Sequence, residues 1–116
     1  MRKEHRLVDR RDFQEVYKKG RSVANAQFVV YFLKRGDVGA FRAGVSAGRK
    51  LGKAVVRNRA RRLVKEALRL NAERISPGYD IIVVVRKAAV GLSFAEVQRC
   101  LLHALRKASL LNGPEL

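Results

Sequence analysis

Apolar residues change their spacing several times along the chain, and each change marks an element. Phe13 and Tyr17 are four apart, so they share one face of a helix. Asp9-Arg-Arg-Asp12 opens that helix: Asp9 can cap it, and Asp12 stands three residues on, as in a capping box. Lys18 and Lys19 fall in its last turn, and Gly20 suits the C′ position. Residues 27–34, QFVVYFLK, are β-branched and aromatic and predict a strand. Val29, Tyr31 and Leu33 point to one face, and Phe28, Val30 and Phe32 to the other. Gly36-Asp37-Val38-Gly39 reads as a turn, and residues 40–47 as a second strand, the hairpin partner of the first.

A helical period returns over about 54–71, where Val56, Ala60, Leu63, Val64, Ala67, Leu68 and Leu70 share one arc. After the turn Ser76-Pro77-Gly78, the almost continuously apolar YDIIVVV at 79–85 predicts a strand buried on both faces. Ser93-Phe-Ala-Glu96 is a capping box for a third helix, with apolar positions Val97, Leu101, Ala104, Leu105 and Ala108. Asn112-Gly113-Pro114 should end it. The order α-β-β-α-β-α implies an α+β class, a two-layer α-β sandwich with helices packed on a small sheet. No repeat, low-complexity segment or linker divides residues 1–116, so one domain is expected.

Charge changes the picture most. The formal net charge is +16, and the sequence pI is about 11.3. Residues 49–69 hold nine Lys/Arg and one Glu, a net +8. Lys53, Arg57 and Arg59 crowd the first turns of the second helix, where the macrodipole favours acids. Arg59, Arg61, Arg62, Lys65, Arg69 and Asn58 lie opposite its apolar arc. Lys53 and Arg57 fall near that arc at its N-terminal end and should project past the edge of the core. A helix so charged, with one acid for i,i+4 pairing, implies an external polyanion, and nucleic acid is the commonest. Hydrophobic residues make up 47% of the chain, which excludes a disordered basic tail. No apolar run is long enough to cross a bilayer, and no secretory signal is visible. Cys100, the only cysteine, excludes an internal disulfide and fits a reducing cytoplasm; as chemistry it reads as a small apolar residue.

Catalytic candidates are few. Asp9, Asp12 and Glu15 could gather a divalent ion, but acids at a helix N-terminus are also simply favoured there. His5 lies in a terminus expected to be mobile, and His103 has no obvious partner. Gly48-Arg-Lys-Leu-Gly52-Lys53 fails the phosphate-loop spacing, and Ala54 stands where that loop needs Ser or Thr. Binding features are stronger. Phe13, Tyr17 and Tyr31 could line a groove for unstacked bases if the first helix crosses the sheet, although ordinary core packing explains each aromatic equally well. Arg57-Asn58-Arg59 offers guanidinium forks for phosphate and an amide for a base edge or 2′-OH.

The run Gly52-Lys-Ala-Val-Val-Arg-Asn-Arg-Ala-Arg-Arg-Leu-Val-Lys-Glu-Ala closely resembles the signature of the bacterial ribonuclease P protein family. Asp12 to Gly20 resembles that family's first helix; Ser22 to Leu33 and Tyr79 to Arg86 also fit, in the family's order and length. The resemblance implies a fold like domain two of ribosomal protein S5, with a left-handed β-α-β crossover around the basic helix. It implies a protein that assists a catalytic RNA in removing the 5′ leader of precursor tRNA, with Mg²⁺ bound mainly by the RNA and no cofactor of its own. Expected partners are the catalytic RNA and precursor tRNA, with neither DNA nor a membrane. Phe13, Tyr17, Val29 and Tyr31 match the leader cleft, and Arg57 and Asn58 match positions beside it. Arg59, Arg61, Arg62 and Lys65 match helix positions facing RNA, and Lys50 and Lys53 match basic positions entering the helix; Arg69 extends that face. Ala47-Gly48-Arg49 departs from the pattern of a hydrophobic residue, Ser and Lys, although Arg49 keeps the charge. Two rivals remain open at this stage: a ribosomal or RNA-chaperone protein, and a metal-dependent nuclease using Asp9, Asp12 or Glu15.

Overall fold

A computed structural model describes residues 1–37 and 39–113. Seven main elements follow in the order α1 (Arg10–Lys19), β1 (Arg21–Ala24), β2 (Phe28–Lys34), β3 (Arg42–Ser46), α2 (Ala54–Leu70), β4 (Tyr79–Val85) and α3 (Phe94–Lys107). The four strands form one sheet in the order β1-β2-β4-β3. The fold class matches expectation, but the pairing of the strands does not.

Residues 40–47 are not the hairpin partner of 27–34. β4 lies between them, antiparallel to β2 and parallel to β3. The apolar run of β4 explains this: Ile81, Ile82 and Val83 are fully buried, so this strand takes the centre and both neighbours. A parallel pair needs a long crossover, which α2 supplies between β3 and β4. β2 instead makes its hairpin with β1, a strand absent from the sequence reading because RSVA has only Val23 with strong strand character. The open edge of β3 is covered by the N-terminal segment, where the Leu7 amide donates to the Ala43 carbonyl at 3.0 Å.

α2 and α3 pack on one sheet face. Val64, Ala67 and Leu68 of α2 and Leu101, Ala104 and Leu105 of α3 meet Phe28, Val30, Ile81 and Val83 there. Leu70 departs from its expected arc: it is 53% exposed, while Ala67 and Leu68 of the same last turn are fully buried. The capping box of α3 is present, with Glu96 N–H donating to Ser93 Oγ at 3.2 Å and Ser93 N–H to Glu96 Oε1 at 3.1 Å. α3 ends earlier than Asn112-Gly113. Ser109 takes a positive φ of 59°, and the Leu110 amide turns back to the Leu105 carbonyl at 2.9 Å, seating Leu110 in the core; Pro114 lies outside the described residues, as does Val38 in the expected 36–39 turn.

α1 crosses the other face, over a smaller cluster of Leu7, Val16 and Ile82 with Phe13, Tyr31, Leu33 and Val84. Gly20 ends it, but not as a left-handed C′ residue: its φ is −77°. Glycine is required there because a Cβ would lie 2.5 Å from the Val16 carbonyl oxygen and 2.7 Å from that of Phe32. The capping box is half formed. Asp9 accepts from the Arg11 amide at 2.8 Å, while Asp12 turns to Arg42. His5 is not in a loose terminus, since it stacks on Phe41 at 4.1 Å and its Nδ1 meets the Phe41 carbonyl at 2.9 Å.

Candidate RNA interface

Alternation and register fix which side chains share the α1 face. Val29 pairs with Val84, and Val84 with Ser46; Tyr31 pairs with Ile82, and Ile82 with Gly44. α1 covers the second of these rows and leaves much of the first open. Phe13 seats its ring over Gly44, where a Cβ would come within 2.3 Å of the ring tip. Tyr17 stands edge-on to Tyr31, with ring centroids 4.9 Å apart and planes at 71°. Tyr17 is 44% exposed, and Phe13, Val29 and Tyr31 are half-buried. Burial raises the Tyr17 pKa above its ordinary 10.0, opposed by a hydrogen bond with Ser46 and reinforced by Tyr31. The hydroxyl is therefore neutral at physiological pH. Phe13, Tyr17, Val29 and Tyr31 thus share one partly open surface. Gly44 and Ser46 belong to it too, and the sequence hid them: a glycine and a serine in a short strand carry no binding signal of their own.

The chain leaves this surface at Ser46 and reaches α2 through a turn at Arg49–Leu51. Lys53 occupies the N-cap without a side-chain cap, and no acid stands in the first turn of α2. The positive end of the helix is thus not compensated by its own first turn. Arg61 is not wholly on the outer face. It is half-buried, donates to Asn58 Oδ1 at 2.7 Å, and reaches the Ala47 carbonyl at 3.3 Å. One turn earlier, Arg57 is half-buried, and its Nε has no hydrogen-bond partner among the described residues. A buried guanidinium N–H without an acceptor is costly, so this position suits a ligand oxygen.

Lys50, Lys53, Arg62 and Lys65 are exposed and carry no ion pair among the described residues. Arg59 is exposed and donates to the Leu92 carbonyl at 3.2 Å. Arg69 is different: its Nε donates to Glu66 at 3.0 Å, and the pair is bidentate. Part of its charge is therefore compensated, which weakens it as a phosphate contact.

Asp9, Asp12 and Glu15 do not converge. Each is separately committed: to the Arg11 amide, to Arg42 at 3.3 Å, and to Lys19 at 3.0 Å. No group of three or more His, Cys, Asp or Glu capable of holding a metal ion exists among the described residues. Sequence reading also missed a buried ionic centre. Asp80, only 4% exposed, takes Arg35 at 2.9 Å and both forks of Arg42 at 2.8 and 2.7 Å. Since Arg42 also meets Asp12, this centre ties the first turn of α1 to β3 and β4. His103 is exposed, and its Nδ1 accepts from the Asn25 amide at 3.2 Å. Cys100 is a half-buried free thiol packed against the main core.

Comparison with known proteins identifies the family. The Ribonuclease P family profile matches residues 1–109. The chain is 44% identical over 112 residues to the ribonuclease P protein component of Geobacillus kaustophilus, covering 97% of this chain and 93% of that protein. It is 48% identical to that of Symbiobacterium thermophilum, covering 97% of each. The solved RNase P protein of Staphylococcus aureus superposes with a TM-score of 0.87 at 40% identity, covering 95% of this chain and 100% of that one. That of Thermotoga maritima superposes with a TM-score of 0.81 at 38% identity, covering 93% and 98%. The chain belongs to the bacterial ribonuclease P protein family, and as such is a protein subunit of the endoribonuclease that processes the 5′ end of precursor tRNA.

Proposed function

We propose that this chain works as a single RNA-binding domain that holds two RNAs at once. The partly open surface of Phe13, Tyr17, Val29 and Tyr31 takes the single-stranded 5′ leader of precursor tRNA, with Arg57 and Asn58 beside it. Lys50, Lys53, Arg59, Arg62 and Lys65 meet the catalytic RNA, with Arg61 and Arg69 contributing at the edges. The carrying observation is the buried Arg57 Nε, which has no acceptor among the described residues, one turn before Arg61, which reaches the Ala47 carbonyl beside Ser46 of the partly open aromatic surface. Stacking platforms beside unpaired donors suit a flexible strand better than a duplex, whose bases are hidden.

Chemistry in this reading belongs to the RNA and the Mg²⁺ it binds. The acids α1 could have offered a metal are already committed to Arg11, Arg42 and Lys19. The protein positions the leader and screens the charge between two polyanions, so that the RNA holds its ions at lower Mg²⁺. No helix among the described residues is long and apolar enough to cross a membrane. A cytoplasmic setting, with no DNA or membrane partner, accords with the free thiol and with an RNA substrate.

Reconstitution tests this. Adding the protein to a cognate catalytic RNA should raise precursor-tRNA cleavage at low Mg²⁺; no enhancement by folded protein would overturn the proposal. Tyr31→Ala or Phe13→Ala should weaken precursor tRNA binding by roughly tenfold, the scale of one lost base stack, and leave mature tRNA binding nearly unchanged. Equal loss for both would remove the leader from this groove.

A further inference from the structure

α2 carries more than cations. Between it and the segment that follows β4 opens a cleft of about 250 Å³. Val56, Ala60 and Leu63 form one wall, Ala89 and Val90 the other, and Phe28 the floor. Almost nothing inside can donate or accept a hydrogen bond, so an occupant would be recognised by shape and contact alone. The space falls below the roughly 300–1,000 Å³ of drug-sized sites, which suits a single flat ring system. Arg59 brings a cation to its lining. Its guanidinium reaches from α2 to the Leu92 carbonyl at 3.2 Å while the residue remains exposed. Lys53 and Lys87, at the starts of the two segments that form the walls, are exposed as well.

We propose that this cleft receives one unpaired nucleobase of the catalytic RNA. The inference rests on the reading of α2 as the face that meets that RNA. An apolar slot alone would accept many hydrophobic groups; a cation in its lining, on a phosphate-binding helix, selects one attached to a polyanion. A strand held by its phosphates along α2 presents unstacked bases to the helix surface, and a guanidinium plane in the lining is a stacking surface for a base. Lacking polar groups inside, the slot discriminates by ring size and not by base identity.

The test compares variants that fill the slot with one that only removes charge. Binding to the cognate catalytic RNA is measured across a salt series, with chemical probing of its unpaired nucleotides. Ala60→Met fills the slot from α2, and Val90→Met fills it from the opposite wall. Each should weaken binding by roughly tenfold, the scale of one lost base contact, without changing the salt slope. In each, one nucleotide protected by the wild type should become reactive. Arg62→Ala should instead flatten the slope and keep that protection. Unchanged affinity and footprint in both filled variants would overturn the proposal. A wild-type footprint with no protected unpaired base would overturn it without any variant. Failure of the wild type to bind the RNA at all would sink the underlying reading of α2, a result distinct from an empty slot.

Discussion

The two faces of the sheet are built differently. Under α2 and α3, Phe28, Val30, Ile81 and Val83 are all fully buried, although a cleft opens over Phe28 beside α2. Under α1, three fully packed residues, Leu7, Val16 and Ile82, are ringed by half-covered ones. That face also carries a glycine in place of a side chain at 44 and a buried carboxylate held by two arginines. One ten-residue helix is too short to close a four-stranded sheet. The packed face supplies stability; the partly closed face keeps aromatic surface available at modest cost because the other secures the fold.

The widest contrast comes from emptying the packed face. Leu68→Ala should cost about 3 kcal/mol in urea denaturation, while the ratio of precursor to mature tRNA affinity in the remaining folded protein stays unchanged. Gly44→Ala strikes the other face, since a Cβ would overlap the Phe13 ring. Overpacking should cost about 1 to 2 kcal/mol, and precursor affinity should fall while mature tRNA affinity holds. If instead both affinities fell equally, the division between the two faces would fail. Arg62→Ala and Lys65→Ala touch neither sheet face. Each should lower the salt slope of RNA binding by about one and leave the urea midpoint unmoved.

The smallest effect concerns pH. Burial holds the Tyr17 pKa above its ordinary 10.0. As pH rises, the unfolded chain ionises this hydroxyl first. The contribution of Tyr17 is therefore complete below about pH 10 and is lost above it. Denaturation at about pH 8 and about pH 11 should show the wild type losing stability relative to Tyr17→Phe; a parallel decline in both would mean that Tyr17 is not desolvated by the groove.

Much of this was legible along the chain. The aromatics of β2, the capping box at Ser93 and the cationic run of α2 are local signals, set by side-chain period, cap chemistry and charge spacing. β1 was not legible, since a four-residue strand takes its stability from pairing with β2 and not from its own residues. Nor was the placement of β3. Chain order favoured a hairpin with β2, but the almost continuously apolar β4 gains more at the centre, and only the assembled core expresses that preference. The site divides in the same way. Phe13, Tyr17, Tyr31 and the α2 cations announce themselves by residue type. Gly44, Ser46 and Asp80 act through what stands opposite them across the sheet.

The sequence by itself determined an α+β chain with one strongly basic helix and an aromatic strand, because those properties reside in neighbouring residues. Tertiary structure decided which strand became central, which arginines turned inward, and which aromatics stayed partly in solvent. It decided them because packing residues far apart in the chain fixes whether a charge finds a partner and whether a ring is covered. Arg61 reaches the Ala47 carbonyl while Arg62, its neighbour, stays exposed, a difference their shared chemistry could not predict.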